Sequence, residues 1–156
     1  MTSRTFLWIG LILMACQGGV FAAGGGDLNS AGSLGLGMEL GQPIGATGKL
    51  WFSNLAAVDA GLGYHFNHNF DVHTDFLMHS FALGHIGEGE LPLYAGLGAR
   101  VLVGDDTQFG LRIPFGAAYF LRPNRVELFA EIAPIIDLSN IGGDVDGLVG
   151  IRIYGF

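Results

Sequence analysis

The run from Phe109 to Leu121, F-G-L-R-I-P-F-G-A-A-Y-F-L, constrains this chain more than any other stretch. Its odd positions are all apolar: Phe109, Leu111, Ile113, Phe115, Ala117, Tyr119 and Leu121. The even positions carry Gly110, Arg112, Pro114, Gly116, Ala118 and Phe120. Successive side chains of a strand point to opposite sides, so alternation this long predicts a β-strand with one continuous apolar face. The same pattern recurs along the chain, and no helical period competes with it beyond the first segment.

Eight such strands are expected, at roughly 33–41, 46–53, 55–66, 70–83, 92–103, 109–121, 126–138 and 144–156. Turn-forming clusters separate them: Gln42 to Gly45, Asn67 to Asn69, Gly104 to Thr107 and Arg122 to Arg125. Residues 84–91 read as a loop, and Ser139 to Gly143 as another. The 156 residues leave room for one domain. The fold class this predicts is all-β, an antiparallel up-and-down barrel of eight strands occupying 33–156.

Alternation alone does not say which face is inside. A soluble barrel packs its apolar face inward, whereas a membrane barrel turns it outward. The other face decides. In a soluble barrel it meets water and is dense in charge. Here charged residues are only 13% of the chain, against roughly 25% in soluble domains. Lys49 is the single lysine. The second face is mostly Gly and Ala with a few charges of both signs, which suits the cramped lumen of a small barrel. The expected lumen acids are Glu39, Asp59, Asp71, Asp75, Glu127, Glu131 and Asp146. The expected bases are Lys49, Arg100, Arg112 and Arg152. Opposite signs at similar depth can pair, and an unpaired one in a dry lumen would be costly. Arg112 is expected to partner Glu127 or Glu131.

Strands of about 9 to 13 residues, tilted, span an apolar band of about 25 Å. Aromatics cluster near strand ends. Tyr64, Phe66 and Phe70 flank one tip, and Trp51, Phe52, Tyr119 and Phe156 the opposite rim, as two interfacial girdles would. Pro114 and Pro134 interrupt neighbouring strands and fall nearly opposite each other about a turn at Pro123-Asn124. Proline cannot donate to a ladder, so a shared bulge or hydrogen-bond gap is expected there. A true sheet edge would defeat the barrel.

The start reads as an export signal, residues 1–22. Arg4 supplies the positive charge, Phe6 to Ala15 a short apolar stretch, and Val20-Phe21-Ala22 a small-residue cleavage site. Leu13-Met14-Ala15-Cys16 is a competing lipobox-like run, with Met unusual in its place. Residues 23–32 then form a flexible lead-in. Cys16 is the only cysteine, so the chain forms no intramolecular disulfide. The net charge of −7 argues against nucleic acid as a partner.

Several constellations carry possible chemistry. His65, Asp71 and His73 share the lumen face, and pairing about His68 sets His65 opposite Asp71. Such a cluster can hold a metal such as zinc, but the spacing specifies no ligand set, so a hydrogen-bond network is the preferred reading. No cofactor is expected. His79 and Ser80 are adjacent on a strand, point to opposite faces and cannot share a proton. No catalytic residue is assigned. Gly61-x-Gly63 and Gly96-x-Gly98 lie inside strands without a following helix. They make room for facing lumen side chains rather than cradle phosphate. Asp105-Asp106 and Asp144 to Asp146 are acidic spots expected on outer turns.

The runs L-P-L-Y-A-G-L-G-A-R (Leu91 to Arg100), D-D-T-Q-F-G-L-R-I-P-F-G (Asp105 to Gly116), E-L-F-A-E-I-A-P-I-I-D-L (Glu127 to Leu138) and the ending G-I-R-I-Y-G-F resemble small eight-stranded outer-membrane barrels of the OmpA/OmpX type. They are closest to an uncharacterised family of small bacterial outer-membrane barrel proteins. The likeness covers most of the chain, but its motifs are strand patterns without chemistry. It implies residence in a bacterial outer membrane, contact with its lipid, a monomer with both termini on the periplasmic side, and recognition of terminal Phe156 by the barrel-insertion machinery. Two departures stand out. Tyr154 and Phe156 share parity with Arg152, out of phase with the apolar face, and a bulge near Gly155 would repair this. The outer loops are also short, which does not favour adhesion. The function expected is structural or envelope-related. A periplasmic lipocalin-like carrier of an apolar ligand and an outer-membrane lipid-modifying enzyme are the alternatives.

Overall fold

A computed structural model describes residues 29–65, 69–121, 125–139 and 142–155. The expected signal segment, Cys16, Phe66, His68 and Phe156 lie outside them. The described chain is all-β. In order it forms β1 (Leu34–Gly41), β2 (Ile44–Trp51), β3 (Ala56–Tyr64), β4 (Phe70–Ser80), β5 (His85–Ile86), β6 (Gly89–Glu90), β7 (Leu93–Val103), β8 (Gln108–Arg112), β9 (Phe115–Leu121), β10 (Val126–Asp137) and β11 (Gly142–Tyr154).

These strands close into an antiparallel barrel. Neighbours pair in chain order, and β11 pairs both with β10 and with β1, so no main strand is left as an edge. The β8 and β9 segments together make one stave, which gives eight. Strands β2, β4 and β9 end at the rim that holds Leu34 and Tyr154, the terminal end. Strands β1, β3, β7 and β10 end at the far end.

The barrel is inside-out relative to a soluble domain. Among the described residues, 27 large apolar side chains are exposed, including Leu36, Met38, Leu62, Phe76, Leu97, Phe109, Phe115, Ile132 and Ile151. The interior buries 16 polar or charged residues against 12 apolar ones. The alternation in the Phe109–Leu121 run has this phase: Arg112, Pro114, Ala118 and Phe120 are buried, while Phe109, Leu111 and Phe115 face outward.

Pro114 and Pro134 mark gaps and not an edge, and the gaps are not shared: Pro114 lacks its donor toward Gly96 of β7, Pro134 toward Ile113 of the β8–β9 stave. Both β8 and β9 pair with β10 in one unbroken register, from Val126 opposite Leu121 to Asp137 opposite Gly110. No residue is inserted, so there is no bulge. Each proline withholds one ladder donor, and the carbonyls beside the gaps stay in use. The Ile113 N–H donates to Pro134 O at 2.9 Å, and the Gly96 N–H donates to Pro114 O at 2.9 Å.

Other expectations are corrected. The loop at 84–91 contains the small β5–β6 hairpin, which joins the wall where Glu90 pairs with Phe120. Strand two starts and ends two residues early, β4 stops at Ser80, and β11 starts at Gly142, so Asp144 and Asp146 lie in a strand and not on a turn. Trp51 does not belong to a girdle: it is fully buried inside the barrel, as its parity with Thr47 and Lys49 requires. Tyr64 and Phe70 do pack at the far rim, rings edge-on at 5.5 Å. Tyr154 points into the lumen. Gly155 then takes a φ of +104°, a left-handed conformation that ends the alternation.

Candidate functional site

Eight strands enclose an interior just wide enough for side chains to fill. The sequence loads that space with charge, arranged in three tiers along the axis.

At the terminal end lies an apolar and aromatic plug of Trp51, Leu77, Tyr94, Phe120 and Tyr154. Lys49 crosses the lumen above it. Its Nζ donates to Glu127 Oε1 at 2.8 Å and sits 4.9 Å from the centroid of the Trp51 ring. An ammonium over an indole face is attracted by the ring quadrupole, more strongly where water is excluded. Glu127 also accepts from the Tyr154 hydroxyl and, at 3.3 Å, from Arg152 Nη1. His79 is buried against Trp51, with ring centroids 4.4 Å apart, and Ser80 is exposed on the other face. The described residues bring no His to Ser80.

The middle tier solves a like-charge problem. Asp59 and Asp75 are direct cross-strand partners, a placement that destabilises when uncompensated. Each has its own arginine. Arg152 Nη2 donates to Asp59 Oδ2 at 3.0 Å, while Arg112 Nη1 donates to Asp75. The Arg112 Nη2 donates to Glu131 Oε1 at 2.6 Å, and the Tyr94 hydroxyl donates to Glu131 Oε2 at 2.9 Å. Arg152 also donates to Thr47 Oγ1 at 2.8 Å and lies 3.8 Å over the Phe129 ring. Glycines make this possible. A Cβ at Gly98 would strike the Asp75 carboxylate and the Thr74 carbonyl, and one at Gly61 would strike His73 and Glu39.

At the far end, Arg100 Nη1 donates to Asp146 Oδ1 at 2.9 Å and its Nη2 to Asp144 Oδ2 at 3.1 Å. His73 Nδ1 lies 3.1 Å from Asp71 Oδ1, and its Nε2 lies 3.9 Å from Glu39 Oε2. His65 Nε2 is 3.3 Å from Asp146 Oδ1 and 4.0 Å from Asp71 Oδ2.

The seven expected acids and four expected bases are thus all buried. One pairing differs from expectation. Gly63 stands opposite Asp71, and His65 is two residues out of the expected register, its N–H donating to Asn69 O at 2.9 Å. Arg112 does bond Glu131, one of its two expected partners, and Asp75 besides, while Glu127 goes to Lys49 and Arg152. Sequence reasoning had no view of Tyr94 and Tyr154 as hydroxyl donors to these carboxylates. Their parity with Arg152 and Gly96 was the available signal.

Outside the lumen, the wall carries a depression of about 500 Å³ lined by Leu40, Phe115, Ala130, Ile132, Gly147 and Val149. It is apolar and opens on the outer face.

No family model, curated protein or solved structure matches this chain.

Proposed function

We propose that this chain is an integral outer-membrane barrel with a structural or envelope-related role, its lumen closed by side chains. The observation that carries the reading is the distribution of apolarity. A continuous belt of exposed Leu, Ile, Val, Met and Phe surrounds an interior of ion pairs. In water such a surface is far larger than the apolar patch a soluble monomer tolerates. In lipid the same belt is solvated, and a closed barrel pairs its wall hydrogen-bonding groups strand to strand, save at the two prolines. The plug of Trp51, Tyr94 and Phe120, with the charged tiers above it, argues against an open pore.

The alternatives draw less support. A carrier of an apolar ligand needs the apolar face inward, and here it points out. An enzyme of the Ser/His type needs both groups at one rim, and Ser80 and His79 face opposite ways. The resemblance to OmpA/OmpX-type barrels agrees with the proposal and supplies the expected location.

Folding of the expected mature chain, Ala23 to Phe156, in buffer and in detergent micelles tests it. Strand-type circular dichroism and a heat-dependent gel shift are expected only with detergent. A soluble, folded monomer without detergent would overturn the reading.

A further inference from the structure

We propose that His65, Asp71 and Asp146 form a binding site for a zinc-class divalent cation at the far end of the lumen. The three come from separate places in the chain: just past the end of β3, the start of β4, and β11 across the barrel. One ligand atom from each lies within 4.8 Å of the others. Their side chains are 5%, 0% and 0% exposed. Four-coordinate zinc with N and O ligands near 2.0–2.1 Å sets ligand atoms about 3.3 Å apart. The His65 Nε2 to Asp146 Oδ1 separation is 3.3 Å already, and His65 Nε2 to Asp71 Oδ2 is 4.0 Å.

A second observation points to a ligand. Asp71 Oδ2 is buried without any hydrogen-bond partner and lies 4.0 Å from His65 Nε2 and 4.0 Å from Arg100 Nε, while Asp146 Oδ2 turns toward Arg112 Nε at 3.7 Å. A buried carboxylate oxygen left bare is expensive, and a cation between His65 Nε2, Asp71 Oδ2 and Asp146 Oδ1 would satisfy it. The other oxygen of Asp71 is held by His73 Nδ1 at 3.1 Å, an outer contact of the sort that orients a metal-binding carboxylate. The lumen also holds seven acidic side chains against one lysine and three arginines.

Arg100 is the competitor. Its Nη1 lies 2.9 Å from Asp146 Oδ1 and 3.5 Å from His65 Nε2, so its guanidinium borders the place a metal would take. Its Nη2 already bonds Asp144 at the rim, whose side chain is 49% exposed. The arginine therefore has somewhere to go. Metal entry moves it off Asp146 and onto Asp144 without stranding a charge. Three protein ligands leave a fourth position for water. The geometry holds whichever solvent surrounds the barrel, so this proposal does not stand or fall with membrane residence.

The test is calorimetric titration of the folded chain with Zn²⁺ alone. One ion per chain is expected. His65→Ala keeps the Arg100–Asp146 pair and should still fold, yet weaken zinc binding at least about tenfold, as Asp146→Asn should. Arg100→Gln removes the competitor and is expected to tighten binding. His85→Gln, at the exposed His85–Glu90 pair, should change nothing. Absence of saturable binding by the unaltered chain overturns the proposal. So does affinity unmoved by His65→Ala, affinity lost in His85→Gln, or affinity weakened in Arg100→Gln.

Discussion

Lys49 Nζ lies 2.8 Å from Glu127 Oε1, and both side chains are fully buried. The chain's one lysine is therefore spent inside the lumen, reaching from β2 to β10. Removing one member of a buried pair strands the other, at a cost of about 3–5 kcal/mol, while replacing both can be nearly neutral. Lys49→Met is expected to destabilise the barrel by about 3 kcal/mol, and Lys49→Met with Glu127→Gln to recover most of the loss. Urea unfolding in lipid vesicles measures both.

Arg112 is expected to be the most sensitive position. It bonds Asp75 and Glu131 together and lies 3.7 Å from Asp146 Oδ2. Arg112→Leu strands at least two carboxylates and should cost about 4 kcal/mol or prevent folding. Arg112→Lys should fall between, because an ammonium does not span two carboxylates as a planar guanidinium does. The urea midpoints of the three proteins rank them.

Pro114→Ala separates a gap from an edge. Pro114 faces Gly96 in the β7 register, and Gly96 already donates to the Pro114 carbonyl. Hydrogen-bonded antiparallel pairs exchange two bonds, so alanine would supply the missing donor. That gain of about 1 kcal/mol is offset by the extra freedom of the unfolded chain, about 0.4–1 kcal/mol. Stability should change by less than about 1 kcal/mol, with slower hydrogen exchange in β8 and β9. Loss of the barrel would contradict the pairing.

Two glycines should respond differently. Gly98→Ala pushes a methyl into the Thr74 carbonyl and the Asp75 carboxylate, which disrupts the bond to Arg112. At Gly147 a Cβ meets nothing within 4 Å. Gly98→Ala is expected to lower the temperature at which the folded gel band disappears, and Gly147→Ala to leave it unchanged.

Much of this was legible because strand parity is binary. One residue of known face fixes every other in its strand, so eleven charged side chains could be assigned to the interior from alternation. Trp51 shows the same rule neglected: its position at a strand end suggested a rim, but Lys49 two residues earlier already fixed its side. What parity cannot give is who meets whom across the lumen. Lys49 stands beside Asp59 in the wall yet bonds Glu127, because strand tilt and barrel closure set those encounters. The β3–β4 register sets Gly63, not His65, opposite Asp71. Asp146 reaches the same group from β11, far away in sequence, and no local spacing announces it.

The most direct test of the inside-out barrel uses tryptophan fluorescence in vesicles with brominated acyl chains. Trp51 is 0% exposed inside the lumen, whereas Phe76 on β4 is 48% exposed on the belt. Trp51 and Trp8, the latter in the expected signal segment, are the chain's two tryptophans. In the expected mature chain, Trp51 should be little affected by brominated lipid. The Phe76→Trp variant should gain an emission component that brominated lipid quenches strongly and aqueous acrylamide does not. A Phe76→Trp signal reached by acrylamide and untouched by lipid would contradict the account.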